Sequence, residues 1–279
     1  MDGGQILSLE TLATAAPSRR QRLTACLVCL AFAAATFALL PIASRPLPPM
    51  PGFIPAYQSA LIAVYALTTY LFFSEYRRAR SVPLLILGAG SLYVSLTVFL
   101  QILSFPGVFA PERLLGSGPD TTIWLWTFWH LGPPLFALGY AALEGDGRRR
   151  PEPRGRSAWL GWLAAGLTVA TAAAVALGVT RFVHLLPKSV EGDNYTQLTT
   201  SGIGPAVLAV SVIALAVLWR QTRLRTALQL WLAVSLFLLV LDNAVTLPGA
   251  ARGTVGWLAG RLGALLSGVM LLAVYVRQV

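Results

Sequence analysis

The fold class this sequence predicts is an all-α polytopic transmembrane bundle of about eight helices, and three observations predict it. Of 279 residues, 56% are hydrophobic and 11% charged, against about 25% charged in an ordinary soluble domain. The apolar residues gather into runs of about 20, the length that crosses roughly 30 Å of hydrocarbon. The basic residues lie between the runs and concentrate on alternate connections, the asymmetry that orients helices in a membrane.

Residues 1–22 read as a polar leader that ends in Arg19, Arg20 and Arg22. The first run, Leu23–Ser44, is too long and too far from the start for a cleaved signal peptide, so it stays as the first span. Cys26 and Cys29 lie one turn apart within it. Thiols there act as small apolar packing or lipid-facing groups rather than as a disulfide or metal site. The next runs are Ile54–Phe73, Pro83–Leu103 and Thr122–Leu143. The stretch Glu144–Arg156, rich in Gly, Pro and Arg, reads as an exposed linker between two four-helix halves. Four more runs follow, at Ala158–Phe182, Ile203–Trp219, Ala227–Leu247 and Val255–Val276.

With eight spans, fifteen of the 21 Lys and Arg residues fall on one face, among them Arg77, Arg78, Arg80, Arg220, Arg223 and Arg225. Arg45, Arg113, Arg181, Lys188 and Arg252 fall on the other, and Arg261 lies inside the last run. The basic face is expected in the cytoplasm, with both termini there and the chain in the inner (plasma) membrane. This placement accounts for the net charge of +10 without nucleic acid as a partner. The connections on the outer face are longer and richer in turn residues: Arg45–Gly52 with its four prolines, Phe105–Asp120 and Val183–Gly202. The two halves show no internal repeat, which counts against a transporter built from repeated halves.

No nucleophile elbow, phosphate loop, zinc-ligand helix or dinucleotide fingerprint is present. Chemistry therefore rests on polar groups inside the spans, which are costly there and become candidate functional residues. His130 stands about ten residues into the fourth span, near mid-membrane. It is either a neutral histidine bonded to a neighbouring helix or part of a ligand site, and it is expected to point inward toward Tyr57 or Gln101. Pro133 and Pro134 follow within a turn and are expected to kink the helix. Asp242 and Arg261 lie at similar depths in the last two spans, so an antiparallel pairing predicts a direct ion pair, with Asn243 extending it. Tyr57, Gln58, Gln101 and Trp126 lie in the same outer half and complete the candidate ligand-binding set. Trp124 and Trp126 also suit an interfacial aromatic belt. His184 is expected to be exposed.

Several segments together resemble one known family. They are Phe53-Ile-Pro-Ala-Tyr-Gln-Ser-Ala-Leu, Ser104-Phe-Pro-Gly-Val-Phe-Ala-Pro, Leu115-Gly-Ser-Gly-Pro-Asp-Thr-Thr-Ile-Trp-Leu-Trp-Thr-Phe-Trp-His and Pro134-Leu-Phe-Ala-Leu-Gly-Tyr-Ala, with Leu230-Trp-Leu, Leu241-Asp and Gly256-Trp-Leu-Ala-Gly-Arg later in the chain. They are similar to the membrane-associated sensor domain of the fourth class. The resemblance implies a bacterial sensory input module over residues 23–279, of the kind usually fused at its C-terminus to a diguanylate cyclase or histidine kinase, with no output domain before Val279. Two positions depart from the family pattern, Gln101 in place of a histidine and Leu258 in place of an aromatic. The first argues against a bis-histidine haem or a shared metal site.

The expected function is thus a non-enzymatic membrane sensor. It would bind a small-molecule or lipid-soluble signal in the outer half and pass the change to a cytoplasmic effector domain or protein, with membrane lipid as its surroundings. A transporter or channel is the alternative, and an intramembrane enzyme using His130 and Asp242 a lesser one. The signal, any cofactor, the effector and the choice between monomer and homodimer stay open at this stage.

Overall fold

The structure is a computed structural model that describes residues 13–105, 108, 118–145 and 153–276. Most of the leader, residues 1–12, lies outside the described residues, as do residues 146–152 of the linker and most of the connection after Ser104. Among the described residues there are nine helices: α1 (Arg19–Leu39), α2 (Phe53–Ala79), α3 (Val82–Ser104), α4 (Pro119–Gly145), α5 (Arg154–Arg181), α6 (Thr196–Thr200), α7 (Ile203–Thr222), α8 (Ala227–Gly249) and α9 (Val255–Val276). The fold is a polytopic all-α bundle.

Local sequence explains where helices begin. The Ser18 hydroxyl accepts the Gln21 amide at 3.2 Å while the Gln21 side chain accepts the Ser18 amide at 2.8 Å, a capping box that satisfies two otherwise orphaned donors. Thr226 and Gln229 repeat the arrangement at the start of α8, at 3.3 and 3.1 Å.

Among the described residues seven helices are long and apolar enough to cross a membrane: α1, α2, α3, α5, α7, α8 and α9. The 27-residue α4 is long enough but is not among them, because Trp124, Trp126, Trp129, His130, Pro133 and Pro134 dilute its apolar character. Its side chains are largely buried between α3, α5, α7 and α8, so neighbouring helices shield its polar groups from lipid. The most apolar window of α3 is 67% buried and that of α8 is 72%, whereas the figures for α1 and α5 are 6% and 17%. The centre of the bundle is therefore α3, α4 and α8, with α1 and α5 turned to lipid.

The two four-helix sets pack on each other, α1 on α8, α2 on α9, α3 on α5 and α4 on α7. The most extensive pairs are consecutive helices, α8 with α9, α2 with α3 and α3 with α4, and close packing rather than a hydrophobic force adds the non-sequential ones. Helix α4 runs on through Pro133 and Pro134.

Both described ends of the chain lie at the arginine-rich end of the bundle. The Ala227 amide, at the start of α8, donates to the Ala15 carbonyl at 2.9 Å. The Tyr275 ring near the end of α9 meets the Phe72 ring edge-on, with centroids 5.1 Å apart.

At the opposite end three connections are laced together. Leu47 donates to Gly253 O at 2.7 Å, Gly256 to Ala43 O at 2.8 Å, Tyr195 to Ala250 O at 2.8 Å and Arg252 to Asp193 O at 2.9 Å. Asp120, in the first turn of α4, accepts the amides of Ser189 and Val190 at 2.7 and 3.1 Å. These bonds clamp the α5–α6 connection over the bundle. Asp120→Ala is expected to cost about 1.5–3 kcal/mol, the worth of hydrogen bonds to a charged acceptor. A thermal unfolding shift no larger than that of an exposed Thr171→Ala control would show that the clamp does not bear load.

Candidate functional site

The site lies toward the laced end. His130, about 16 Å along α4 from its first residue at 1.5 Å per residue, is 1% exposed. Its Nε2 lies 2.8 Å from Asp242 Oδ2 on α8, and its Nδ1 lies 2.9 Å from the Trp126 carbonyl one turn back. Both ring nitrogens thus face acceptors. A neutral imidazole donates to one of them, and a doubly protonated ring donates to both. The ring is held between two indoles, with centroids 4.0 Å from Trp126 and 3.7 Å from Trp129.

From Asp242 the network continues to α9. The Thr246 hydroxyl donates to Asp242 Oδ1 at 3.0 Å and accepts from Arg261 Nη1 at 3.5 Å. Arg261, 8% exposed, lies over the rings of Trp126 and Trp257 at 5.5 and 5.3 Å, where π faces offset part of its charge. The direct Asp242–Arg261 ion pair expected from depth is not formed. The two residues are level, but the carboxylate turns to His130 and Thr246 stands between it and the guanidinium.

A second chain of bonds crosses α2, α3 and α4. Gln101 Oε1 accepts from Gln58 Nε2 at 2.8 Å and from Trp129 Nε1 at 2.9 Å, and Gln101 Nε2 donates to the Thr122 carbonyl at 2.8 Å. Because the Trp129 ring also contacts His130, with centroids 3.7 Å apart, the two chains meet at one imidazole. His130 therefore points inward as expected, but its hydrogen-bond partner is Asp242 rather than Tyr57 or Gln101. Tyr57 joins from the other side, stacking on Phe53 at 5.8 Å, which meets Trp257 at 5.4 Å. Asn243 does not extend the network: its Nδ2 donates to Leu239 O on its own helix at 2.8 Å. Four buried polar atoms in this region lack a partner, namely Tyr57 OH, Gln58 Oε1, Trp126 Nε1 and Asn243 Oδ1.

The tryptophans expected in an interfacial belt are interior instead. Trp126 is 1% exposed and Trp124 8%, and Trp124 Nε1 donates to the Pro187 carbonyl at 3.3 Å. The laced connections cover them, a shielding that hydropathy does not report. His184 is exposed.

The residues expected to act together thus come from α2, α3, α4, α8 and α9 and form one buried polar centre inside an apolar bundle, with α9 as its last member. Over residues 48–279 the chain matches the family described as MASE4, membrane-associated sensor, integral membrane domain. The chain belongs to the MASE4 family. No curated protein and no solved structure matches it. As a MASE4 domain it is an integral, multi-pass membrane sensory module, and α1 lies ahead of the matched region.

Several members of the centre carry signals that went unread in the sequence. Thr246 lies one turn after Asp242 and so shares its face. Gly256 and Gly260 form the small-xxx-small spacing that lets membrane helices approach closely. A Cβ on Gly260 would collide with Thr246 Oγ1 and come within 2.5 Å of Asp242 Oδ1. Arg252, in the connection between α8 and α9, reaches Thr122 Oγ1 at 2.6 Å and covers the centre from the laced end. Tyr195 lies beside it, and burial pushes its hydroxyl up to about 12. The group stays protonated and donates to the Thr246 carbonyl at 3.1 Å. Among the described residues no cluster of three or more His, Cys, Asp or Glu is arranged to hold a metal.

Proposed function

We propose that this sensory module detects a small polar or lipid-soluble molecule at the His130–Asp242–Arg261 centre and passes the change along α9 to a cytoplasmic effector. The observation that carries the reading is the link Asp242–Thr246–Arg261, which couples a buried histidine on α4 to the last helix through two hydroxyl contacts. A ligand can shift such a module only by binding its two conformations unequally. An acceptor-bearing molecule would do so by competing for Arg261 and for the unpartnered O–H and N–H groups of Tyr57 and Trp126. On this reading Tyr57, Gln58, Gln101, Trp126, His130, Asp242, Asn243 and Arg261 line or brace the ligand site, in residues 23–279 as one sensor domain. The arginine-rich end, with both termini, faces the cytoplasm of an inner-membrane protein.

The test is a fusion at the C-terminus to a diguanylate cyclase, with cyclic dinucleotide output read in membranes. Thr246→Val keeps the side-chain shape but removes the hydroxyl between Asp242 and Arg261. It is expected to change the ratio of stimulated to basal output at least several-fold while protein level stays constant. Output identical to the wild type under every growth condition in which the wild type varies would sink the relay.

A further inference from the structure

We infer that the arginine-rich end of the bundle carries a binding site for a single anionic phospholipid, in the cleft between α2 and α5. The cleft encloses about 590 Å³, within the range of about 300–1,000 Å³ in which proteins hold organic ligands. It lies far from the polar centre and is built from different parts of the helices.

Its walls change character with depth in the way a phospholipid does. Arg77 and Arg78 form the last turn of α2, and Arg80 follows in a left-handed turn at φ 51°. All three line the mouth. Tyr70 and Phe73, one to two turns further into the membrane along α2, line the deeper part together with Trp162 of α5. The distance from Arg77 back to Tyr70 is about 10 Å along the axis, which spans a phosphate headgroup and the first methylenes of an acyl chain. Glu75 is not part of the lining; it lies on the side of α2 that interacts with Tyr275 of α9. Arg77 and Arg78 are therefore set apart from the carboxylate on their own helix.

The floor shows why the cleft exists. Tyr76 is 1% exposed and donates its hydroxyl to the Ser157 carbonyl at 2.8 Å, which ties the two helices at one point. Otherwise α5 packs chiefly on α3 and scarcely touches α2. Trp162 is 81% exposed and Tyr70 65%, so these aromatic faces are open to the acyl region. A soluble phosphate compound would use the arginines but has no need of an apolar wall this deep. The gradient selects a lipid whose headgroup is anionic, and basic pockets between spans are known to select such headgroups.

The test uses the full chain in an uncharged maltoside detergent, with lipid binding followed by native mass spectrometry and by thermal unfolding. The probes are dioleoyl phosphatidylglycerol, dioleoyl phosphatidylcholine and inorganic phosphate. Phosphatidylglycerol is expected to bind at least several-fold more tightly than phosphatidylcholine and to raise the melting temperature more. The double variant R77Q/R78Q, altered at two exposed positions, should melt like the wild type without lipid. It should lose about five-fold in phosphatidylglycerol affinity per arginine, equivalent to about 1 kcal/mol each. Trp162→Ala should weaken both lipids alike. Equal binding of the two lipids by the wild-type chain, or undiminished discrimination in R77Q/R78Q, overturns the site. A melting shift from inorganic phosphate as large as that from phosphatidylglycerol overturns the lipid as its occupant.

Discussion

Asp242→Ala is expected to be among the most destabilising single substitutions in this protein, costing roughly 3–5 kcal/mol. Three groups depend on that carboxylate. His130 Nε2 is 2.8 Å from one oxygen, the Thr246 hydroxyl is 3.0 Å from the other, and Thr246 in turn contacts Arg261. Removing the carboxylate leaves Nε2 of a buried imidazole without its partner and takes away the acceptor through which Thr246 is held beside Arg261. His130→Ala removes the other side of this contact and should cost less, because Asp242 keeps its bond to Thr246. In the double variant the two losses overlap, so its destabilisation should fall short of the sum by at least 1 kcal/mol, the size of coupling found between contacting residues. The measurement is a double-mutant cycle on unfolding in one detergent. Additive losses would mean that the 2.8 Å contact contributes no coupling, and the centre would then have to be described without it. The same cycle on Asp242 and Arg261 should give the weaker coupling, since Thr246 separates them.

The second large effect is expected at Gly260. A methyl group there would occupy the space of the Thr246 hydroxyl and press on Asp242 Oδ1 at 2.5 Å, with the Asp242 carbonyl at 3.3 Å behind. Neither oxygen can retreat without breaking its own hydrogen bond, so α8 and α9 must separate. Gly260→Ala should therefore combine an overpacking cost of about 1–3 kcal/mol with the loss of at least one buried hydrogen bond at about 1–3 kcal/mol. Two glycines serve as controls. A Cβ on Gly263, one turn away, would meet Asp242 Cβ at an ordinary 3.5 Å, and one on Gly166 would meet nothing within 4 Å. Gly166→Ala should be neutral or slightly stabilising, because alanine is the better helix former. If Gly260→Ala melts with Gly166→Ala, the close approach of α8 and α9 is not required.

Much of this protein is legible in the order of its residues because a bilayer enforces simple rules. A span must be long and apolar, and a basic loop resists translocation. Those two constraints act on local sequence, so the apolar runs, the concentration of arginine at one end and the all-α class can be read from the chain itself. The cost of a charge in hydrocarbon also acts residue by residue, which is why His130, Asp242, Arg261, Gln58 and Gln101 stand out before any contact is known.

What depends on tertiary structure is which of those groups meet. Depth along a helix places Asp242 and Arg261 level, yet it says nothing of the rotation of each helix about its axis. That rotation is decided by packing shape, by glycines such as Gly260 and by which neighbour offers a complementary face. It turns the Asp242 carboxylate to His130 on α4, 112 residues away in sequence, and leaves Thr246 between it and Arg261. The same packing encloses Trp124 and Trp126 beneath connections whose backbone bonds join distant segments, so residues with the composition of an interfacial belt become interior. The chain alone determines which groups need partners inside the membrane. Only the folded bundle decides the pairing, because in lipid helices associate through the fit of their surfaces, and fit is a property of two helices together.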